Sequence, residues 1–362
     1  MKYLLTFLLI SLSCIFLCAQ HGNPPHETKD STAEEKFDPT ETIMEHISDA
    51  HVWHLWTVKD KETGEEHHTS IPLPVILFYD GHIDVFLSDA FHHGHETVVK
   101  GDREYLLYEG KIYLANANGK IEFNEKNEIV NAMPVDLSIT KNVAGMMVAA
   151  ILILLVFLSV ARAYKKRPGR PGGLQSFMEP VILFVRDDIA IPNIGEHKYR
   201  RYLPYLLTVF FFILFNNLLG LVPFIPGGAN ITGNIAVTMT LAALTMLITN
   251  ISGNKNYWKH VFAAPGVPIW LYPIMIPVEL IGILSKPFAL MIRLFANITA
   301  GHIIVLSLVS LIFIFKSLYI SPVSVIFVLF MDCLELLVAL LQAYIFTLLS
   351  GLFIGMAVQE HH

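Results

Sequence analysis

Fifty-two consecutive residues, Leu203 to Asn254, carry no formally charged side chain. Few soluble folds leave so long a stretch uncharged, because their outer faces need water. A bilayer demands it, since one charged group at its centre costs about 2.5–3.5 kcal/mol on insertion scales. Pro223, Pro226, Gly227 and Gly228 interrupt the run. That pattern predicts a helical hairpin, about 203–221 and 234–250, with Lys255 and Lys259 beyond its second arm. A further charge-free run, Val143 to Ala161, is 19 residues long. As a helix it spans about 28 Å, close to the roughly 30 Å of a bilayer's hydrocarbon. Arg162, Lys165, Lys166, Arg167 and Arg170 follow it, so the positive-inside rule runs this helix from the outside to the cytoplasm.

The rest of the composition agrees. Of the 362 residues 54% are hydrophobic and 15% charged, against roughly 25% charged in soluble proteins. This argues against a soluble enzyme, a nucleic-acid binder and a disordered regulator. The net charge of −6 conceals a division: Gln20 to Asn142 holds 23 acidic and 10 basic residues and 11 of the 16 histidines, while the remainder holds 8 acidic and 15 basic. An acidic, water-soluble region is joined to an apolar, mildly basic one. Cys14 and Cys18 lie in the leader and Cys333 in an apolar run, so no internal disulfide is expected in the mature chain.

Met1 to Ala19 reads as a secretory signal peptide, with Lys2 before the apolar stretch Leu4 to Cys18. Residues 20–142 are then extracytoplasmic. Glu41 to Val58 is expected as an amphipathic helix presenting Ile43, Ile47, Trp53 and Trp56 to an interface. Between Ile71 and Val135 short apolar runs alternate with the turn signals Asp80-Gly81, Glu109-Gly110 and Asn118-Gly119, which predicts a small β-rich domain. His67, His68, His92, His93 and His95 fit a solvated polar surface, with metal binding or proton buffering as the alternative.

Residues 143–362 form the membrane region. Two long apolar segments close it, about 273–318 and 323–358, separated by the Ser321-Pro322 turn. A single helix over the first is about 69 Å long, more than twice the hydrocarbon thickness. Since Ala300-Gly301 is its one weak break after Pro287, the pair is expected as a long, strongly tilted hairpin. The fold class is therefore an all-α polytopic membrane protein of about five membrane helices, with a small β-rich extracytoplasmic domain near the N-terminus.

The charges inside the last two segments are the informative residues. Glu279 and Lys286, seven apart on one helical face, are expected to pair near the cytoplasmic end. Asp332 fits a water-facing carboxylate. Arg293 is different: Leu290, Met291, Ile292, Leu294, Phe295 and Ala296 surround it. Arginine does not give up its proton in a protein, so it cannot relay one. It can hold a nearby carboxylate ionised. Folding the two segments back at residue 320 brings His302 and Glu335 to within about 5 Å of one level, and Arg293 and Gln342 to within about 8 Å. Arg293 and His302 are nine residues apart, about 900° of helix, hence on opposite faces. The cation thus points at a partner while a titratable imidazole–carboxylate pair lines a separate path.

These residues carry a resemblance. SKPFALMIRLFANITAGH, Ser285 to His302, is similar to the most diagnostic segment of subunit a of the F-type ATP synthase. The run ELLVALLQAYIFTLLSGLFIGMAVQEHH from Glu335 resembles that family's C-terminal helix and tail. FNNLLGLVPF around Asn216 and Asn217, followed by GANITGNIAVT, is a weaker match, and Phe37 to Trp56 resembles the family's extracytoplasmic start. The resemblance implies that Arg293 is the essential arginine facing the rotor c-ring, Gln342 the glutamine beside it and Asn297 the asparagine one turn on. It makes His302 and Glu335 the coupled pair of the outer half-channel. Many bacterial members carry the acid first and the imidazole second; here the order is reversed, as in mitochondrial members, which keeps one of each at the same depth.

The implied protein is a non-catalytic, proton-conducting stator subunit. Protons enter past His302, Glu335, Asp332 and Asn217. The implied partners are the c-ring, the subunit b peripheral stalk, the lipid bilayer and H⁺, with no cofactor, metal or nucleic acid. The region from about Ile71 to Asp136 exceeds the usual family length, and the resemblance assigns it no role. The alternative, a stand-alone ion-coupled transporter with a charged midplane site, predicts internal repeats, and the halves of 143–362 are not alike.

Overall fold

The computed structural model describes residues 43, 47–59, 66–94, 96–116, 119–124, 128–166, 172–222, 228–262, 268–315 and 321–359. The signal-peptide expectation falls outside these residues. The chain divides into two compact units, one of which holds residues 1–147 and the other nearly all that follows.

The first unit is built from eight strands. β1 (Val52–Lys59) pairs with β2 (Glu66–Pro72). β3 (Pro74–Tyr79) lies between β4 (His82–Leu87) and β8 (Val135–Asp136). β5 (Val98–Lys100), β6 (Arg103–Tyr108) and β7 (Lys111–Leu114) form a third antiparallel sheet. The turns follow their residues. Asp80-Gly81 and Glu109-Gly110 each place two consecutive residues at positive φ, the type I′ geometry of a two-residue hairpin. Gly101, at φ +60°, turns β5 into β6. Val75, Leu77, Phe86, Phe91, Val98, Tyr105 and Ile112 form one core between the three-stranded sheets. Within it Phe86 meets the edge of Phe91 at 5.4 Å and stacks on Tyr105 at 6.2 Å.

One expectation is corrected here. Residues 43 and 47 are helical, but 52–59 are the strand β1, and Trp53 is buried rather than presented to an interface. The i, i+3 spacing of the two tryptophans fits a helix. VWHLWTVK is also rich in β-branched and aromatic residues, and pairing with β2 decides in favour of strand.

α1 (Lys141–Lys166) opens the membrane region. α2 (Leu174–Phe184) continues through a π-helical turn, Val185–Ala190, into the short α3 (Ile191–Ile194). α4 (Tyr199–Gly220) and α5 (Ile235–Ser252) are the expected hairpin. α6 (Lys255–Phe262) follows, and α7 (Tyr272–Phe315) and α8 (Ser321–Val358) close the chain. Among the described residues five helices, α1, α4, α5, α7 and α8, are long and apolar enough to cross a bilayer. α7 runs unbroken for 44 residues and α8 for 38, about 66 and 57 Å, so both must tilt strongly to stay within a hydrocarbon layer of about 30 Å.

Lipid gives helices no hydrophobic reason to associate, so packing and interhelical hydrogen bonds must hold them together. Both are present. Tyr205 Oη and Thr245 Oγ1 lie 2.7 Å apart, and Thr245 Oγ1 is 3.3 Å from Ser350 Oγ, which links α4, α5 and α8. Gly351 and Gly355 let α8 approach α3 and α4. A Cβ on Gly355 would sit 2.0 Å from the Asn193 carbonyl oxygen. Asn254 donates from its backbone to Ala357 O, and Lys198 Nζ donates to Val358 O, which ties down the end of α8.

Candidate functional site

The site is built on the α7–α8 hairpin. His302 on α7 and Glu335 on α8 meet as the folding-back argument requires, with Nδ1 3.6 Å from Oε2 and side chains 19% and 11% exposed. The separation suits an ion pair or one bridging water more than a direct hydrogen bond. Glu335 Oε1 is buried without a hydrogen-bond partner among the described residues. What seats this carboxylate is Gly301. A Cβ there would lie 2.6 Å from Glu335 Oε1 and 3.2 Å from its Cδ. The acid therefore packs against bare α7 backbone beside the histidine. Asp332 is partly buried on α8, three residues before Glu335 and on the same side of the helix.

Asn217 lies at the end of α4 in a buried polar cluster. Its Nδ2 donates to Ala339 O on α8 over 3.3 Å, and its Oδ1 accepts from Thr232 Oγ1 at 2.5 Å. Asn216, its neighbour in the chain, and Asn230 are buried too, and Asn216 Oδ1 and Asn230 Nδ2 have no partner among the described residues. Buried orphans of this kind are what ordered water serves in protein interiors. Thr232 and Asn230 escaped the sequence reading. GANITGN reads as a turn, and their burial depends on contacts across the fold.

Arg293 sits apart from this pair. It is exposed, as is Asn297 one turn on, and among the described residues it has no hydrogen-bond or ion-pair partner. Ala289, Ala296 and Ala300 are exposed around the same stripe, and small side chains there let a foreign helix approach closely. Gln342 is instead buried, at 2% exposure, and no hydrogen bond joins it to Arg293 among the described residues. The expected Glu279–Lys286 pair does not form. Glu279 Oε1 lies 3.9 Å from His260 Nδ1 on α6, and Lys286 Nζ stands 5.7 Å over the Phe353 ring. Seven residues on one helix fix a face but not a partner, and here neighbouring helices supply closer ones. Of the five histidines weighed for metal, His92 pairs with Glu96 at 3.6 Å. The side chains of His67, His68, His93 and His95 lie outside the described residues. No group of three metal-ligating side chains occurs among the described residues.

Arg293 thus faces outward from an apolar helix, with a partly buried acid–imidazole pair on the opposite face. The ATP synthase A chain family matches residues 144–355. The chain belongs to that family. It is 51% identical over 235 residues to the ATP synthase subunit a of Chloroherpeton thalassium, covering 63% of this chain and 69% of that protein. It is 48% identical over 307 residues to ATP synthase subunit a 2 of Chlorobium luteolum, covering 82% and 87% respectively. Against the Myxococcus xanthus subunit a the identity is 47% over 232 residues, 63% of this chain and 75% of the relative. Residues 42–137 match a separate domain family of unknown function. ATP synthase subunit a is a multi-pass, non-catalytic subunit of the membrane sector, and five apolar helices fit that description.

Proposed function

We propose that this chain is the proton-conducting stator of its ATP synthase, with two half-channels separated by Arg293. The observation that carries the reading is the split on α7: Arg293 exposed and without a partner among the described residues, and His302 on the opposite face within 3.6 Å of Glu335. Protons enter from the outside along Asn217, Asp332, His302 and Glu335 and protonate a carboxylate on a c-ring helix. Neutral, that carboxyl can face lipid, where a carboxylate would be strongly disfavoured. After nearly a full turn it loses its proton to the cytoplasmic path and is held ionised by Arg293. The same fixed cation repels a proton hopping directly between the paths. Asn297 and the exposed alanines give the rotor room, and Gln342 packs behind them. The driving field is worth about 2.3 kcal/mol per charge per 100 mV.

In this reading the N-terminal domain is outside, the C-terminus is cytoplasmic, the membrane is the bacterial inner membrane, and subunit b holds the chain against the rotor. The test is Arg293→Ala in inverted membrane vesicles. ATP-driven acidification is expected to vanish with the complex still assembled; unchanged acidification refutes the reading.

A further inference from the structure

The β4–β3–β8 sheet has two apolar faces. One carries Val75, Leu77 and Phe86 into the domain core. The other carries Phe78, Ile83, Val85, Leu87, Val135 and Leu137, which are 40%, 66%, 57%, 52%, 56% and 60% exposed. The register makes them one patch. Phe78 lies opposite both Ile83 and Val135, and Ile76 lies opposite Val85 while its carbonyl accepts from Leu137 N. An antiparallel sheet with one solvated face alternates apolar with polar residues. A contiguous exposed apolar patch marks an interaction surface.

The bilayer is the apolar phase within reach. β8 runs into α1 with its hydrogen bonds unbroken: Ile139 N donates to Pro74 O, Lys141 N to Ala50 O, and Asn142 N to Asp49 Oδ1. Thr140 Oγ1 donates to Asp49 Oδ2 at 2.8 Å. Ile139, two residues before α1, is thus bonded to a strand that carries the patch, and the first turn of α1 is bonded to Asp49 and Ala50 just ahead of β1. The charge-free run starts at Val143, which sets the hydrocarbon boundary there, and the headgroup layer extends about 5–7 Å further. Leu137 lies six residues before Val143 in the chain, and Leu87 pairs with Pro74, whose carbonyl accepts from Ile139 N.

We infer that this face lies on the bilayer at the N-terminal end of α1, its side chains in the headgroup–acyl boundary. Leu87 to Ile83 measures about 13 Å along β4, more than the headgroup layer, so β4 lies inclined toward the membrane plane. The lipid is neutral or zwitterionic. Residues 20–142 carry 13 more acidic than basic side chains, which anionic headgroups repel.

The test uses the intact complex in phosphatidylcholine vesicles, spin-labelled at Leu87→Cys, Ile83→Cys or Lys120→Cys after the native cysteines are replaced. Each site is exposed, so labelling leaves the core untouched. Collisions with oxygen, which partitions into lipid, are compared with those of a water-soluble nickel chelate. Expected is an oxygen-to-nickel ratio several-fold higher at both Leu87 and Ile83 than at Lys120. Nickel access at Ile83 equal to that at Lys120 overturns the placement. So does low access to both reagents, which would mean a protein covers the face. Adding phosphatidylglycerol is expected to lower the ratio, and a rise would refute the lipid preference.

Discussion

At the scale of single residues, the outer pair depends on an atom that is absent by design of the side chain. Gly301 has no Cβ, and the space is filled by the Glu335 carboxylate. Gly301→Ala should push that carboxylate away from His302 and lower ATP-driven proton pumping about tenfold, a loss of roughly 1.4 kcal/mol in transition-state terms. Complex abundance should hold. The mechanism predicts its own control. In a Glu335→Ala background, where the carboxylate that the methyl would strike is gone, Gly301→Ala should cost little further, because interacting sites are non-additive. Vesicle acidification measured across all four variants checks this, and full additivity would refute it. A second residue-level prediction concerns Thr232. Thr232→Val keeps the shape but removes the donor to Asn217 Oδ1, leaving a buried acceptor unmet at a cost of about 1–3 kcal/mol. The thermal midpoint of the purified complex should fall, and Thr232→Ser should restore it; a midpoint unaltered in the valine variant would count against the link.

At the scale of elements, what was legible followed from local pattern. The hairpins at Asp80-Gly81 and Glu109-Gly110 were legible because turn chemistry is encoded in two residues. The unbroken course of α7 and α8 was legible because no turn residues interrupt them. The His302–Glu335 pairing followed from counting residues back from one turn. β1 was misread because its tryptophan spacing suits either period and only a partner strand decides. The α2–α3 segment was not anticipated: Glu179, Arg186, Asp187 and Asp188 interrupt its apolar residues, and its π-helical turn depends on packing. Gly301, Thr232 and the partners of Glu279 and Lys286 were invisible for one reason, that each is defined by a neighbour distant in sequence. Gly355 belongs to this class. Gly355→Ala would drive a methyl into the Asn193 backbone carbonyl, which cannot rotate away. The end of α8 should detach from α3, seen as faster hydrogen exchange over residues 351–358 and less assembled complex; wild-type exchange there would argue against this contact.

At the scale of the whole molecule, the chain joins an N-terminal β-rich unit to a membrane region across a junction that must survive acid, since in the proposed orientation that unit faces the side that supplies protons. Asp136 sits at that junction. Burial raises its pKa, but hydrogen bonds from the His51 side chain at 2.6 Å and from Ser138 outweigh burial and hold the carboxyl below its ordinary value. A carboxyl depressed in the folded state stabilises that state fully above its unfolded pKa, near 3.9, and the contribution disappears as pH falls through the folded value. The β8–α1 junction should therefore keep its protection from pH 7 to about pH 4 and lose it only in stronger acid. Asp136→Asn removes the charge that His51 and Ser138 address. It should expose the amides of residues 137–142 to faster exchange already at neutral pH and flatten their response to acid. Hydrogen exchange on the intact complex across that range reads both. If the wild type loses protection between pH 7 and 5 while the asparagine variant does not, the acid-resistant junction is refuted.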